Sequence, residues 1–461
     1  MRNKLKVALF FVIAASVSVA IFALLPLHVD ETPAYRNKIT SPVVLTSVRK
    51  NTTSRFQDRA SYCAQTIQDS LNQDGYLGPY VLLRGDASTS TVVNWVAPDP
   101  DGLRLRYRER GSRAWNQQTI DRWPLPNTNN YVFSVNLNSL RPDTVYEYSI
   151  SKREASDHAR IRHFRTAPRQ LQDELVFVAG GDMLQVREYM EATTKVAASL
   201  NPRFAALGGD LAYDDGRHTG CWYDWLRIWA RYAVTPDGID IPIVTAIGNH
   251  ETQNPDTERH DQTQTPQQAP FYYALFRRNL PSNYVVDFSN YLSIVVLDSG
   301  HTQAIPDQTP WLDRTLNERG HIASIFALYH VPAYGILKGG LGNKLSSDIR
   351  RLWVPLFENA AISAAFENHH HIYKRSKLIF RGKVDDRNGV LYIGDGAWGT
   401  IPRKLPEPLP DSIESLWYVE RAHRRQHFLK VTLGDNKRLF EAIDSDGERF
   451  DSFLDRRRRR H

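Results

Sequence analysis

Between positions 175 and 393 the chain carries a series of short runs that are apolar on almost every residue. They cover residues 175–179, 204–207, 241–247, 293–297, 323–328, 361–366 and 390–393. A strand with one solvated face alternates apolar and polar residues, whereas a strand buried on both faces does not. The pattern therefore predicts a layered α/β domain over residues 172–446, with covering helices from segments such as 194–200 and 221–232. No repeat at a fixed period is present.

Upstream the rhythm changes. Residues 91–96, 103–107, 131–135 and 145–150 alternate, with turn residues at short intervals between them. That pattern predicts an all-β antiparallel sandwich over residues 78–168. Residues 140–148 resemble the turn-and-strand segment of fibronectin type III-like domains. No chemistry is visible there, and the expected role is spacing or docking. Residues 30–77 are polar without a strong period and read as a stalk with one short helix near 62–71. Asn51-Thr52-Thr53 forms a glycosylation sequon, meaningful only in a host that glycosylates.

Arg2, Lys4 and Lys6 precede an apolar run over residues 7–27. A basic start before such a run is an export signal. Ser18-Val19-Ala20 offers the small residues of a cleavage site, yet the run also reaches the roughly 20 residues that span a bilayer. Residues 1–29 thus read as a signal anchor or a signal peptide. Either leaves the rest of the chain in the periplasm or outside the cell, with membrane anchoring through residues 7–27 in the first case.

In 461 residues, 41% are hydrophobic and 24% charged, which excludes a multi-span membrane protein and a wholly disordered chain. Two cysteines exclude a disulfide framework and a thiolate zinc site. Cys63 and Cys221 form either one bridge or two buried thiols. A net charge of +7 suits an anionic partner. Much of it lies in the run from Arg456 to Arg460, read as part of a basic tail over residues 447–461. No nucleic-acid-binding motif stands beside it.

Nearly every buried run ends in donor residues. Gly180-Gly181-Asp182 follows the first, and Gly208-Gly209-Asp210 with Tyr213 follows the second. Gly248-Asn249-His250-Glu251, Tyr329-His330 and Asn368-His369-His370-His371 follow later ones. Singly, a Gly-Asp pair is an ordinary turn, a lone histidine a core residue, and a His run a surface cluster. Together they bring hard oxygen donors and imidazoles to the carboxyl ends of strands, where open α/β sheets bind ligands.

This set, with His330-x-Pro332-x-Tyr334 and His369-x-His371-x-Tyr373-x-Arg375, resembles the calcineurin-like metallophosphoesterases. More narrowly it resembles the purple acid phosphatase branch. Tyr213 stands where that branch has a phenolate ligand, three residues after Asp210. Leu184 stands where most of the superfamily has a histidine ligand. A sandwich before the catalytic domain is usual in plant-type members, and the resemblance covers about residues 78–446.

The resemblance implies a layered αββα sandwich of two mixed sheets. It implies a binuclear centre that hydrolyses phosphate monoesters by attack of metal-bound hydroxide. Asp210 would bridge the ions. Asp182, Tyr213 and His371 would complete a ferric site, and Asn249, His330 and His369 a site for zinc, manganese or ferrous iron. His250 would touch the phosphate and assist the leaving group. Glu251 and Asp298 would serve either as partners for ligand imidazoles or in an ordinary turn or salt bridge, His370 would face away, and Tyr373 and Arg375 would support their loop.

The chain departs from the pattern twice. Leu184 replaces a common glycine and is expected to crowd the first loop. Residues 335–344, just after Tyr334, carry none of the one or two further histidines usual in that branch, so either Lys338 or Lys344 faces the phosphate or this Gly-rich loop is simply mobile. A phosphodiesterase acting on nucleotides or phospholipid head groups is the alternative activity. A non-catalytic surface protein on the same fold is the third reading.

Overall fold

The computed structural model describes residues 75–98, 103–151, 160–256, 263–337, 340–405, 416–434 and 437–457. The export segment, nearly all of the stalk with its sequon, Cys63, Lys338 and residues 458–461 lie outside them. Cys221 is buried and disulfide-bonded. Among the described residues no helix is long and apolar enough to cross a membrane.

Two mixed sheets stack face to face. The ten-stranded sheet runs, in spatial order, Arg449–Asp455, Lys437–Ile443, Phe428–Gly434, Leu175–Gly180, Ala205–Leu207, Ile243–Thr245, Leu77–Leu82, Thr91–Ala97, Tyr131–Leu137 and Asp121–Pro124. The eight-stranded sheet runs Gly85–Asp86, Tyr284–Phe288, Leu292–Val296, Ser324–Leu328, Ala364–Glu367, Leu391–Gly394, Tyr373–Ser376 and Val419–His423. Residue parity explains why the runs are apolar throughout. Phe177, Phe204, Phe326 and Phe366 point between the sheets and form one core. Within it, Phe177 stacks on Phe204 with ring centroids 4.7 Å apart. Their neighbours Val178, Ala205, Ile325 and Ala365 point outward into two further cores beneath helices.

The helices Arg187–Ser199 and Thr219–Tyr232 cover the ten-stranded sheet, and Trp222, Trp225 and Trp229 supply most of the second helix's buried face. The first begins seven residues before its expected start at 194. Its first turns are polar on the outside, where Arg187 pairs with Glu191 at 2.9 Å, so periodicity registered only its second half. The helices Ile305–Glu318, Lys344–Leu352 and Val354–Asn359 cover the other sheet through Leu312, Ile349, Trp353 and Phe357. The four layers are those of an αββα sandwich.

The N-terminal sandwich shares a sheet with the rest. The four-stranded sheet Asn116–Gln117, Arg104–Glu109, Val145–Ser151 and Arg162–Arg165 packs through Trp95, Phe133, Tyr148 and Phe164. Its partner strands belong to the ten-stranded sheet, joined where Leu82 pairs in parallel with Ile243. Asp240 locks the junction. It accepts from the Tyr148 hydroxyl at 2.5 Å and from Arg162 Nε at 2.9 Å, and all three side chains are buried.

One boundary needs correction. Residues 449–455 are not tail but the edge strand, paired with Lys437–Ile443. Charge neutralisation is the reason: Asp455 pairs with both Arg438 and Arg457, and Asp451 pairs with Arg375. Run-of-arginine arithmetic missed the acids that hold this end in the sheet.

Removing Asp240 leaves a buried guanidinium unpaired, which costs about 3–5 kcal/mol. Asp240→Ala should therefore lower the unfolding free energy by that amount in urea titrations. A loss below about 1 kcal/mol, the scale of an exposed pair, would contradict the clamp.

Candidate metal centre

Strand ends from both sheets deliver the donors. Asp182 follows Leu175–Gly180, and Asp210 and Tyr213 follow Ala205–Leu207. Asn249 follows Ile243–Thr245, His330 follows Ser324–Leu328, and His369 and His371 follow Ala364–Glu367. Five of the seven sit in the left-handed backbone region: Asp182, Asp210, Tyr213, His369 and His371, with φ of 56°, 52°, 54°, 82° and 56°. For side chains other than glycine such conformations cost about 1–3 kcal/mol each and persist where surrounding structure enforces them. The glycines answer to space. A Cβ on Gly248 would overlap the Asp210 carboxylate, and one on Gly208 would overlap the Asn368 amide.

The donors form two sets. In the first, the Tyr213 hydroxyl lies 3.0 Å from Asp182 Oδ1 and 2.9 Å from His371 Nε2. Asp182 Oδ1 and His371 Nε2 are themselves 2.9 Å apart, which closes a triangle. In the second, His330 Nε2 lies 3.0 Å from Asn249 Oδ1, 3.1 Å from His369 Nδ1 and 3.2 Å from Asp210 Oδ2. Ligands about 2.1 Å from one cation and at right angles to one another sit about 3 Å apart. Both sets have that spacing. Asp210, His330 and His369 offer one group of possible ligand atoms, and Asp182, Asp210 and His371 another, with Asp210 common to both.

Asp210 Oδ2 supplies the fit test. It is a fully buried carboxylate oxygen that no group meets in hydrogen-bond geometry, with the His330 imidazole nitrogen 3.2 Å away. Its partner oxygen accepts the His250 backbone N–H at 2.8 Å. A buried carboxylate oxygen without a donor costs free energy unless positive charge faces it. Burial opposes the Asp210 charge, but His330 and His250 outweigh it and hold the carboxyl well below its usual range. Burial likewise disfavours charge on His330, yet Asp210 and Asp182 raise it to about 9. The hard oxygen and imidazole donors fit two cations, with Asp210 between them.

Local hydrogen bonds aim the donors. His330 Nδ1 faces Gly208 O at 2.9 Å, so that nitrogen donates and Nε2 turns to the centre. Asn249 Nδ2 donates to Pro255 O at 2.9 Å, which presents its carbonyl oxygen inward. Of its two expected roles, Glu251 takes the turn-binding one. Its carboxylate accepts the backbone N–H groups of Asp210, Leu211 and Gly248 at 2.7–2.8 Å and ties two donor loops together. Burial, reinforced by the Asp210 charge, pushes its carboxyl up.

Asp298 takes the turn role of its two expected ones. Its oxygens are taken by the backbone N–H groups of His301, Thr302 and Gln303 and by the Thr302 and Ser282 hydroxyls, so it builds a turn. His370 pairs with Asp395, with Nδ1 3.3 Å from Oδ2. Tyr373 and Arg375 bind Asp451 on the edge strand, not their own loop. Leu184 does not crowd the first loop. It is buried in the apolar core with Met190 and Trp222. Lys344 pairs with Asp348 on its own helix.

His250 stands apart from the triangles with its side chain 31% exposed and its ring centroid 4.6 Å from that of Tyr213. Its Nδ1 lies 2.6 Å from Asp215 Oδ1, and the Asp215 backbone N–H donates to His250 O at 2.9 Å. Sequence reasoning missed Asp215. Two adjacent aspartates precede Gly216, and only the fold shows that Asp214 is buried while Asp215, at φ 49°, turns to the histidine.

A family model described as the purple acid phosphatase N-terminal domain matches residues 78–166. Among curated proteins, purple acid phosphatase 13 of Arabidopsis thaliana is 21% identical over 372 residues. That match covers 69% of this chain, which spans 65% of the length of that relative. Among solved structures, the purple acid phosphatase PPD1 from yellow lupin (Lupinus luteus) seeds superimposes with a TM-score of 0.64 at 16% identity, covering 84% of this chain and 75% of that one. A structure of PhoD gives a TM-score of 0.60 at 11% identity, covering 83% and 93%. At such identities the superpositions speak for the fold: an all-β domain followed by a two-sheet α/β sandwich.

One carboxylate common to two donor groups makes a sharp expectation. Asp210→Ala should lose both metal ions together, measured by elemental analysis of the purified protein. Retention of the wild-type metal content would remove Asp210 from the bridging position.

Proposed function

We propose that this chain, a member of the purple acid phosphatase branch on the joint support of the family model, the curated relative and the lupin structure, is a binuclear-metal phosphoesterase acting on phosphate monoesters. The buried Asp210 oxygen common to two donor groups, with His250 beside it, carries the reading. Asp182, Tyr213 and His371 suit a ferric ion, because a carboxylate and a phenolate are hard anionic donors. Asn249, His330 and His369 suit a divalent zinc, manganese or iron. Such a pair supplies charge neutralisation for a phosphoryl group and activates water for in-line attack.

The chain's own residues do the rest. The αββα layers fix the donors, all seven of which are buried. His250 is the imidazole beside the cluster that remains half-exposed and able to meet a substrate. The Asp215 carboxyl oxygen faces Nδ1 at 2.6 Å, which holds the ring with that nitrogen toward Asp215 and Nε2 turned away from it. Nε2 is then the atom that, in the doubly protonated ring, gives a proton to the leaving oxygen or steadies its charge. Turnover of a chromogenic monoester against a diester tests the substrate class, and a strong preference for the diester would favour the alternative. Export rests on the basic flank before residues 7–27, and protection of the domain from protease in both intact and permeabilised cells would contradict it.

His250→Ala should keep both ions and lower turnover by about 10²–10⁴-fold, the span of a positioned acid or base. Asp215→Asn should act in the same direction through the ring's orientation. Steady-state kinetics with bound metal quantified separates the outcomes: lost metal would make His250 a ligand, and an unchanged rate would exclude the role.

Colour tests Tyr213. A phenolate on a ferric ion gives a visible charge-transfer band, and Tyr213→Phe should abolish it while disturbing the fold little. A wild-type protein holding ferric iron without such a band would exclude the phenolate assignment.

A further inference from the structure

A buried ion pair lies behind the second donor set and outside the roles assigned above. Glu367 ends the strand Ala364–Glu367, two residues before His369, and Lys374 begins three residues after His371. Both side chains are 0% exposed and bind each other directly. Lys374 Nζ also donates to Tyr334 O at 2.9 Å. Two such charges cost several kcal/mol each to bury, and replacing a pair of this kind by apolar residues is often neutral or stabilising. Fold stability therefore gives no reason for its presence.

Its contacts give another reason. Glu367 Oε1 accepts the Tyr329 hydroxyl at 2.8 Å and the Ala333 backbone N–H at 2.7 Å. These groups flank His330 on both sides. The next residue completes the grip: Asn368 N–H donates to His330 O at 2.9 Å, and Asn368 Nδ2 donates to Tyr329 O at 3.0 Å. The strand end that carries His369 thus holds the strand end that carries His330. Across this grip His330 Nε2 and His369 Nδ1 come to 3.1 Å. Asp182, Tyr213 and His371 touch one another directly, and the first two stand at strand ends of the other sheet.

We propose that Glu367, neutralised by Lys374, is a positioning residue for the His330 and His369 half of the centre, and that it sets the affinity of the second ion without touching it. The inference rests on the two-ion reading above. Residues that orient metal ligands typically govern 10–100-fold in affinity when removed.

The test is Glu367→Leu with Lys374→Met, which removes both charges at similar volume. Zinc titration by calorimetry, beside thermal unfolding, reads the two sites and the fold separately. The double variant should keep a Tm close to the wild type and bind one ion as tightly, while the other weakens about 10–100-fold. Two ions at wild-type affinity would overturn the proposal, as would equal weakening of both. Should the double variant fail to fold, Tyr329→Phe removes only one hydroxyl from the grip. It should weaken the same ion by a smaller factor, and an unchanged affinity would overturn the proposal. A wild-type protein that binds fewer than two ions overturns the two-ion reading itself and this inference with it.

Discussion

A buried carboxylate oxygen without a donor is the constraint on which the site depends. Asp210 lies at the end of a short strand in the ten-stranded sheet, wholly buried, with Oδ2 3.2 Å from the His330 imidazole. Such an oxygen is tolerable where positive charge meets it. The fold supplies the means to bring that charge from both sides. One sheet carries Asp182, Tyr213 and Asn249, and the other carries His330, His369 and His371. The face-to-face packing of Phe177, Phe204, Phe326 and Phe366 holds the two sheets together beneath them.

Left-handed backbone at five donors is the local expression of that convergence. An extended strand would carry each side chain past the centre. A turn immediately after the strand reverses it, at a cost that the rigid layers can bear. Glu251 and Glu367 serve parallel ends in the two sheets. One gathers the loops of Asp210 and Asn249 by their backbone N–H groups, and the other gathers the segments around His330 and His369. Acids that bind no ion thus fix the acids and imidazoles that face one.

The sequence showed the layers and the donors for a simple reason. Strands buried on both faces are apolar throughout, and donors at their ends follow turn glycines. It did not show the supporting contacts, because these join residues far apart in the chain. Asp298 read equally as an imidazole partner or a turn residue, and only its turn, which takes both oxygens, decides. The arginine-rich end looked like a tail because Asp451 and Asp455 neutralise arginines that are distant or scattered in sequence. The sandwich looked like a separate unit because alternation within it says nothing of the Leu82 and Ile243 pairing at its edge.

Anomalous scattering from crystals of the metal-loaded protein tests the central claim most directly. The account expects two peaks, about 3.5–4 Å apart, on either side of the Asp210 carboxylate. One peak lies among Asp182, Tyr213 and His371, and the other among Asn249, His330 and His369. A single peak, or metal bound away from Asp210, would contradict it.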